Sequence, residues 1–245
     1  MKKLFAIILT LCLVLSLAAC GKTEPTEAPT EAPTEAPTEA PTEAPTEAPT
    51  EATTEAPTEE VIVMSPAVGK TDGKVYTNTV LGITAEMGDD WTVLNEQEIA
   101  ELYGYALDGF TDENLKSSME NAGSLIIYYA AHNEGLQNVN ISMINASLFS
   151  ALEGAEDQVV AAMIPQLEQQ LPGTGITVES IEATTVEFAG QEHAAISIVG
   201  SLNDVGIYEK QVIIISGDYL FVVTAASYLE DSCDALLANF TALAE

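Results

Sequence analysis

From Pro25 to Glu60 the chain repeats Pro-Thr-Glu-Ala with a period of four, lapsing only near Thr53-Thr54. No large apolar residue occurs between Gly21 and Glu60. Such a segment has nothing to bury against the entropy of being ordered. A proline at every fourth position removes backbone donors and biases the residue before it toward extended backbone. A period of four is also too short for a solenoid, whose units need roughly 20 residues or more. Eleven glutamates against the single Lys22 add self-repulsion. The sequence therefore predicts an extended, semi-rigid stalk over residues 20–60. Its reach is on the order of 120 Å at about 3.1 Å per residue. Its threonines are candidate O-glycosylation sites on composition alone. Any core must come from what lies beyond it.

The chain opens with Met1-Lys2-Lys3, and Leu4 to Ala19 is apolar apart from Thr10 and Ser16. A charged segment followed by a short apolar one is the pattern of a secretory signal, and it is short for a spanning helix of about 20 residues. The run Leu17-Ala18-Ala19-Cys20 resembles the lipobox of bacterial lipoproteins. That resemblance covers the first 21 residues. It implies a signal peptide over 1–19, cleavage before Cys20, and lipidation of the Cys20 thiol. Each buried CH₂ contributes about 0.8 kcal/mol and one acyl chain binds only marginally, so a diacylated cysteine is what holds a protein stably. The expected address is extracytoplasmic, on the outer face of the cell membrane, with the membrane as a partner through Cys20. The alternative is an ordinary signal with a chance cysteine, or an uncleaved anchor.

Residues 61–245 have the size of one domain. They carry Lys70, Lys74, Lys116 and Lys210, no arginine, and 27 acidic residues, a formal charge of −23. That field repels nucleic acid and anionic headgroups, and without arginine there is no bidentate recognition of phosphate or carboxylate. Solubility is a sufficient reason for the acidity. Cys12 belongs to the signal, so Cys233 is left alone and no disulfide framework is expected. It falls on a stripe with Leu229, Leu236, Leu237, Phe240 and Leu243, which reads as a terminal helix capped from Ser227, with the thiol as buried filler.

Val75–Thr79 and Gly82–Met87 read as a hairpin. Asn95 starts a helix carrying Ile99, Leu102 and Tyr103, and Thr111 caps a second through Leu115 and Met119. Ser124–Ala131 is continuously apolar, as a central strand would be. Over 138–144, Val139, Ile141 and Met143 alternate with Asn138, Asn140 and Ser142. Ala155–Leu171 is helical, with Pro165 expected to kink or divide it. Thr184–Phe188, His193–Val199, Ile207–Ser216 and Tyr219–Ala225 read as strands joined by tight turns, the last at Gly217-Asp218. The class is α+β. SLIIYYAA and VIIIS are apolar on both alternating faces, which predicts a mainly antiparallel sheet covered on both sides, a three-layer α/β/α sandwich.

Tyr76-Thr77-Asn78, Leu81-Gly82-Ile83 and Trp91, followed by a helix, an apolar strand, late hairpins and a terminal helix, resemble the PsbP-like family over about 75–245. The resemblance implies a compact α/β/α sandwich and an accessory or binding role. No functional residue is carried over, and Met87-Gly88-Asp89-Asp90 stands where relatives usually have a proline before the tryptophan.

No catalytic constellation is legible. His132 and His193 share no metal-ligand spacing. There is no nucleophile elbow, no P-loop and no dinucleotide fingerprint. The acidic loops at Gly88-Asp89-Asp90 and Asp108–Glu113 do not match the EF-hand pattern. Trp91 reads as a core anchor at a sheet end, and three N-x-S/T sequons at Asn140, Asn145 and Asn239 carry no information in a bacterial lipoprotein. The expectation is a non-catalytic accessory or binding module with no catalytic, metal or cofactor residue. It has no nucleic-acid partner, and an envelope protein or small molecule is its possible partner. A carboxylate-dependent hydrolase and a solute-capturing transporter component are the alternatives.

Overall fold

The structure, a computed structural model, describes residues 62–146, 154–228 and 230–244. The signal, Cys20 and the stalk lie outside the described residues, as does Leu229.

The described chain is α+β and contains two antiparallel sheets. The smaller has the order β1 (Lys70–Asp72), β2 (Val75–Asn78), β3 (Ile83–Glu86), β11 (Phe240–Ala242). The larger runs β4 (Thr92–Leu94), β5 (Leu125–His132), β6 (Gln137–Asn145), β10 (Tyr219–Tyr228), β9 (Val205–Ser216), β8 (Gln191–Leu202), β7 (Thr177–Phe188). Between β6 and β7 the chain passes through the helix α3 (Glu156–Gln170) to the far edge of the sheet. It then returns strand by strand until β10 pairs with β6. Turn chemistry fixes this meander. Ala189-Gly190 and Asn203-Asp204 all have positive φ, between 49° and 80°, as two-residue hairpins with the twist of the flanking strands require. Strands β7, β8 and β9 each run 12 residues, longer than the hydrophobic runs alone suggest.

Apolar residues on both faces of the sheet build two cores. Along β9 and β10, Val212, Phe221, Val223 and Ala225 enter one cluster, while Ile213, Ile215, Leu220 and Val222 enter the other. The first cluster is covered by the small sheet and by α1 (Glu96–Tyr103), α2 (Leu115–Ala122) and α4 (Cys233–Leu237), through Tyr76, Ile83, Ile99, Leu115, Met119, Leu236 and Leu237. The second is covered by α3, through Val159, Val160 and Leu167. The outer layer over the first face is thus mixed, where the sequence predicts helices alone. Helix α1 begins as expected, with Asn95 and Glu98 forming a reciprocal capping box.

Three expectations give way. Helix α2 starts at Leu115, after Asn114, because Thr111 instead closes the preceding 3-10 turn by donating to the Asp108 carbonyl at 2.8 Å. Helix α3 is not divided at Pro165. The terminal helix shrinks to Cys233–Leu237. Ser227 is held in the β10 ladder opposite Tyr208 and Gln137, so it cannot cap. Phe240 leaves the helical stripe to pack on Phe188 and Tyr128, at ring separations of 5.1 and 5.8 Å. The strand it begins completes the β3 edge, with the Leu243 amide donating to the Gly82 carbonyl at 2.7 Å. Backbone pairing that buries an aromatic ring outweighs the local helical pattern. Strand β5 is buried along its length, as its composition predicts, yet it lies second from the sheet edge beside the short β4.

Candidate functional site

Strands alternate their side chains between faces. On β9, Tyr208, Ile214 and Val212 belong to the first core, so Glu209 and Gln211 point to the second face with Ile207, Ile213 and Ile215. On β6, Val139, Ile141 and Met143 fill the first core, so Asn138, Asn140 and Ser142 share the face of Glu209. Register places these residues across β10 from one another. Ala226 sits between Glu209 and Asn138, Thr224 between Gln211 and Asn140, and Val222 between Ile213 and Ser142. The result is a polar trough. Its walls are β9 and β6, two strand spacings or roughly 9.5 Å apart, and its floor is Ala226 and Thr224.

All six polar members are buried: Asn138 and Asn140 at 1% exposure, Glu209 at 2%, Ser142 and Gln211 at 3%, and Thr224 at 7%. The Gln211 amide donates to Glu209 Oε1. Four polar atoms have no protein partner: Asn138 Nδ2, Ser142 Oγ, Glu209 Oε2 and Gln211 Oε1. Among the described residues only Thr71 Oγ1 and Tyr128 Oη share that condition, so the deficit is concentrated in the trough. Each such group costs about 1–3 kcal/mol when it finds nothing, and native interiors hold few of them. Burial pushes the Glu209 carboxyl up to about 7, opposed by the Gln211 hydrogen bond.

The residues singled out by the sequence lie elsewhere. Trp91 stacks on His132, with centroids 5.4 Å apart. His132 bridges Asp90 (2.8 Å to Oδ2) and Gln137 (2.9 Å to Oε1). Gln137 donates to Ser232, which donates to Ser227 (each 2.8 Å). Both imidazole nitrogens face acceptors: the Gln137 hydrogen bond raises the His132 pKa most, desolvation opposes it, and the hydrogen bond and charge of Asp90 add to the rise. His193 is on a different strand, beside Phe188, and its pKa is lowered by burial despite Glu156. Cys233 is buried at 1% exposure and donates to the Tyr208 and Ala225 carbonyls; burial holds its thiol well above the ordinary value. Among the described residues no three His, Cys, Asp or Glu side chains gather as a metal site.

The trough went unread in the sequence, though two signals for it were present. A sheet inferred to be covered on both faces leaves no solvent for the Asn138–Asn140–Ser142 side of β6. Glu209 and Gln211 likewise stand two apart in a strand ending VIIIS.

No known protein family matches the chain, and no curated protein matches it. Among solved structures it is similar to LpqN, involved in cell envelope biogenesis of Mycobacterium tuberculosis, at 15% identity. The match covers 65% of this chain and 82% of that one, with a TM-score of 0.33. A likeness that distant assigns no activity or ligand. No helix among the described residues is long and apolar enough to cross a membrane.

Proposed function

We propose that this chain is a lipid-anchored envelope protein whose folded head is a non-catalytic binding module for a small polar ligand, seated in the trough between β6 and β9. The observation that carries the binding reading is the set of four buried polar atoms without partners on one sheet face. Polar groups are retained in a core at that cost where something else completes them. The non-catalytic part is supported by what the trough contains. It offers one acid, Glu209, whereas carboxylate hydrolysis of glycosides uses two. It offers a serine, Ser142, with no histidine on the neighbouring strand positions of the trough. The reading takes the head as three layers, with α3 on one face of the long sheet and the mixed layer on the other, in the manner of the PsbP-like resemblance. The anchor rests on Leu17-Ala18-Ala19-Cys20, and the acidic repeat then serves as a spacer from the bilayer.

Two measurements test this. Labelled palmitate is expected to enter the wild-type protein and not Cys20→Ala; incorporation into the variant sinks the anchor. For the head, side-chain amide resonances of Asn138 and Gln211 in the mature chain are expected to shift when low-molecular-weight envelope extract is added. Shifts confined to other residues, or none, mean that the trough holds only water and is no binding site.

A further inference from the structure

Charge on the trough is one-sided. Glu209 is its only ionisable member, and Glu209 Oε2 and Gln211 Oε1 are both acceptors lacking a donor, two residues apart on the same face of β9. The described lysines are all elsewhere. Lys210 points to the opposite face and pairs with Asp234 at 2.6 Å. Lys74 donates to the Trp91 carbonyl, Lys70 is on β1, and Lys116 is on α2. The helix packed over this face, α3, brings Glu156, Asp157 and Glu168 and no base. On β8, the partners of Glu209 and Gln211 are Ile198 and Ile196. On β10 they are Ala226 and Thr224. A lone carboxylate is costly to bury unless a cation and hydrogen bonds complete it. No described residue supplies the cation.

We propose that the trough binds its ligand through a primary ammonium group, held by the Glu209 carboxylate and the Gln211 carbonyl oxygen. The ligand's own acceptor lies over the Ala226 floor and meets the Asn138 amide. This rests on reading the trough as a binding site. An ammonium carries three donors and no acceptor, so one group satisfies both orphan oxygens, and a single hydroxyl, with one donor, satisfies one. A divalent metal fits poorly, because calcium takes six to eight oxygens and the trough offers one carboxylate. Binding also moves a proton. The free Glu209 is partly protonated at neutral pH because burial raises it to about 7, and an ammonium against it favours the charged form. Ligand binding therefore releases the Glu209 proton to solvent, and affinity rises as pH rises through about 7.

The test is isothermal titration calorimetry on the mature chain from Cys20, with matched pairs of probes: ethanolamine against ethylene glycol, putrescine against butane-1,4-diol, and glycine ethyl ester against ethyl glycolate. At pH 8 the amine of at least one pair is expected to bind about tenfold or more tightly than its hydroxyl partner, the scale of a charge-assisted hydrogen bond. The advantage is expected to shrink at pH 6. It is expected to vanish in Glu209→Gln, an isosteric change whose folding is checked by circular dichroism. Diols that bind as well as amines overturn the ammonium assignment and leave the trough as a binding site for neutral polyols; an amine preference that survives Glu209→Gln overturns it too, by showing that the amine is held away from Glu209. Binding of neither class overturns the assignment and the binding reading together.

Discussion

Two clusters of buried polar residues sit in the same domain, one around Asn78 and one around Glu209, and they differ in closure. Tyr76 and Asn78 are both fully buried. The Tyr76 hydroxyl donates to the Val68 carbonyl at 2.8 Å. The Asn78 amide donates to the Ala67 carbonyl and to the Tyr76 oxygen, each at 2.9 Å, and its Oδ1 accepts from the Val80 and Leu81 amides at 3.0 and 2.9 Å. Every side-chain group has a partner in the chain itself, which fixes the loop before β1 and the β2–β3 turn against each other. The backbone there is equally tight, since a Cβ on Gly69, at φ +77°, would fall 2.7 Å from the Thr77 carbonyl oxygen. The trough uses the same residue types and leaves four atoms open. Closure marks the first cluster as structural, and its lack is what supports reading the second as a site.

That contrast predicts opposite responses to mutation. The largest effect is expected at Asn78→Ala. It strands the Ala67 carbonyl and the Val80 and Leu81 amides, and costs about 3–5 kcal/mol, the range of breaking a buried hydrogen-bond network. Urea unfolding followed by circular dichroism measures it. A loss under about 1 kcal/mol would mean that the Asn78 cluster is no more binding on the fold than the trough.

At the other cluster, Glu209→Gln is expected to stabilise. The folded carboxyl sits near 7, above its ordinary value of about 4.3. Between those values the native state holds a proton that the unfolded chain has released, so stability falls as pH rises from about 4.5 to 7 and is flat for this group above 7. The whole effect is on the order of 3 kcal/mol at pH 8. The difference between wild type and Glu209→Gln isolates it from the other acids: near zero at pH 4.5, growing to pH 7, with the variant the more stable. Melting curves across that range decide the matter, and a variant less stable at pH 8 breaks the comparison. Ser142→Ala, which removes one unpaired buried hydroxyl and opens no large cavity, is expected to stabilise by up to about 1–3 kcal/mol; a cost like that of Asn78→Ala would show that Ser142 is in fact closed.

Sequence and structure agree where local chemistry decides the outcome. Asn95 with Glu98, the Gly217-Asp218 turn, the hairpin from Val75 and the apolar strand at Leu125 are each specified within a few residues. Cys233 as buried filler is legible from its stripe. Disagreement arises where distant partners compete with local pattern. Phe240 looks helical until the β3 edge and the Phe188 ring are available to it. Asn203-Asp204 lengthens two strands because a two-residue turn, not the end of the apolar run, sets where they stop. The trough is the hardest case. Its members come from β6, β9 and β10, 86 positions apart at the extremes between Asn138 and Thr224, and only the strand order brings them together. Even then the alternation on β6 reads as a polar face, and only the inference that the sheet is covered on both sides places that face in a core.

The smallest effect sharpens the comparison from outside the core. His132 is also a polar group with all its partners, but at the surface, with 30% side-chain exposure against 72% for Asp90. Closure there acts on charge rather than on folding. With Gln137 Oε1 and Asp90 Oδ2 facing the two ring nitrogens, the imidazolium is stabilised and the pKa is raised above its ordinary 6.5. Its contribution to stability is present in full below the ordinary value and is lost as pH rises through the raised one. Trp91, the single tryptophan of the chain, stacks on that ring, so its fluorescence should follow His132 alone. A single transition centred above pH 6.5 is expected in wild type. Asp90→Asn should move it down and leave the fold unchanged, since an exposed pair contributes at most about 1 kcal/mol. A midpoint at or below 6.5, or one that ignores Asp90→Asn, would show that the His132 chain is open in solution, and that pairing at the surface of this domain does not set protonation as pairing in its interior sets stability.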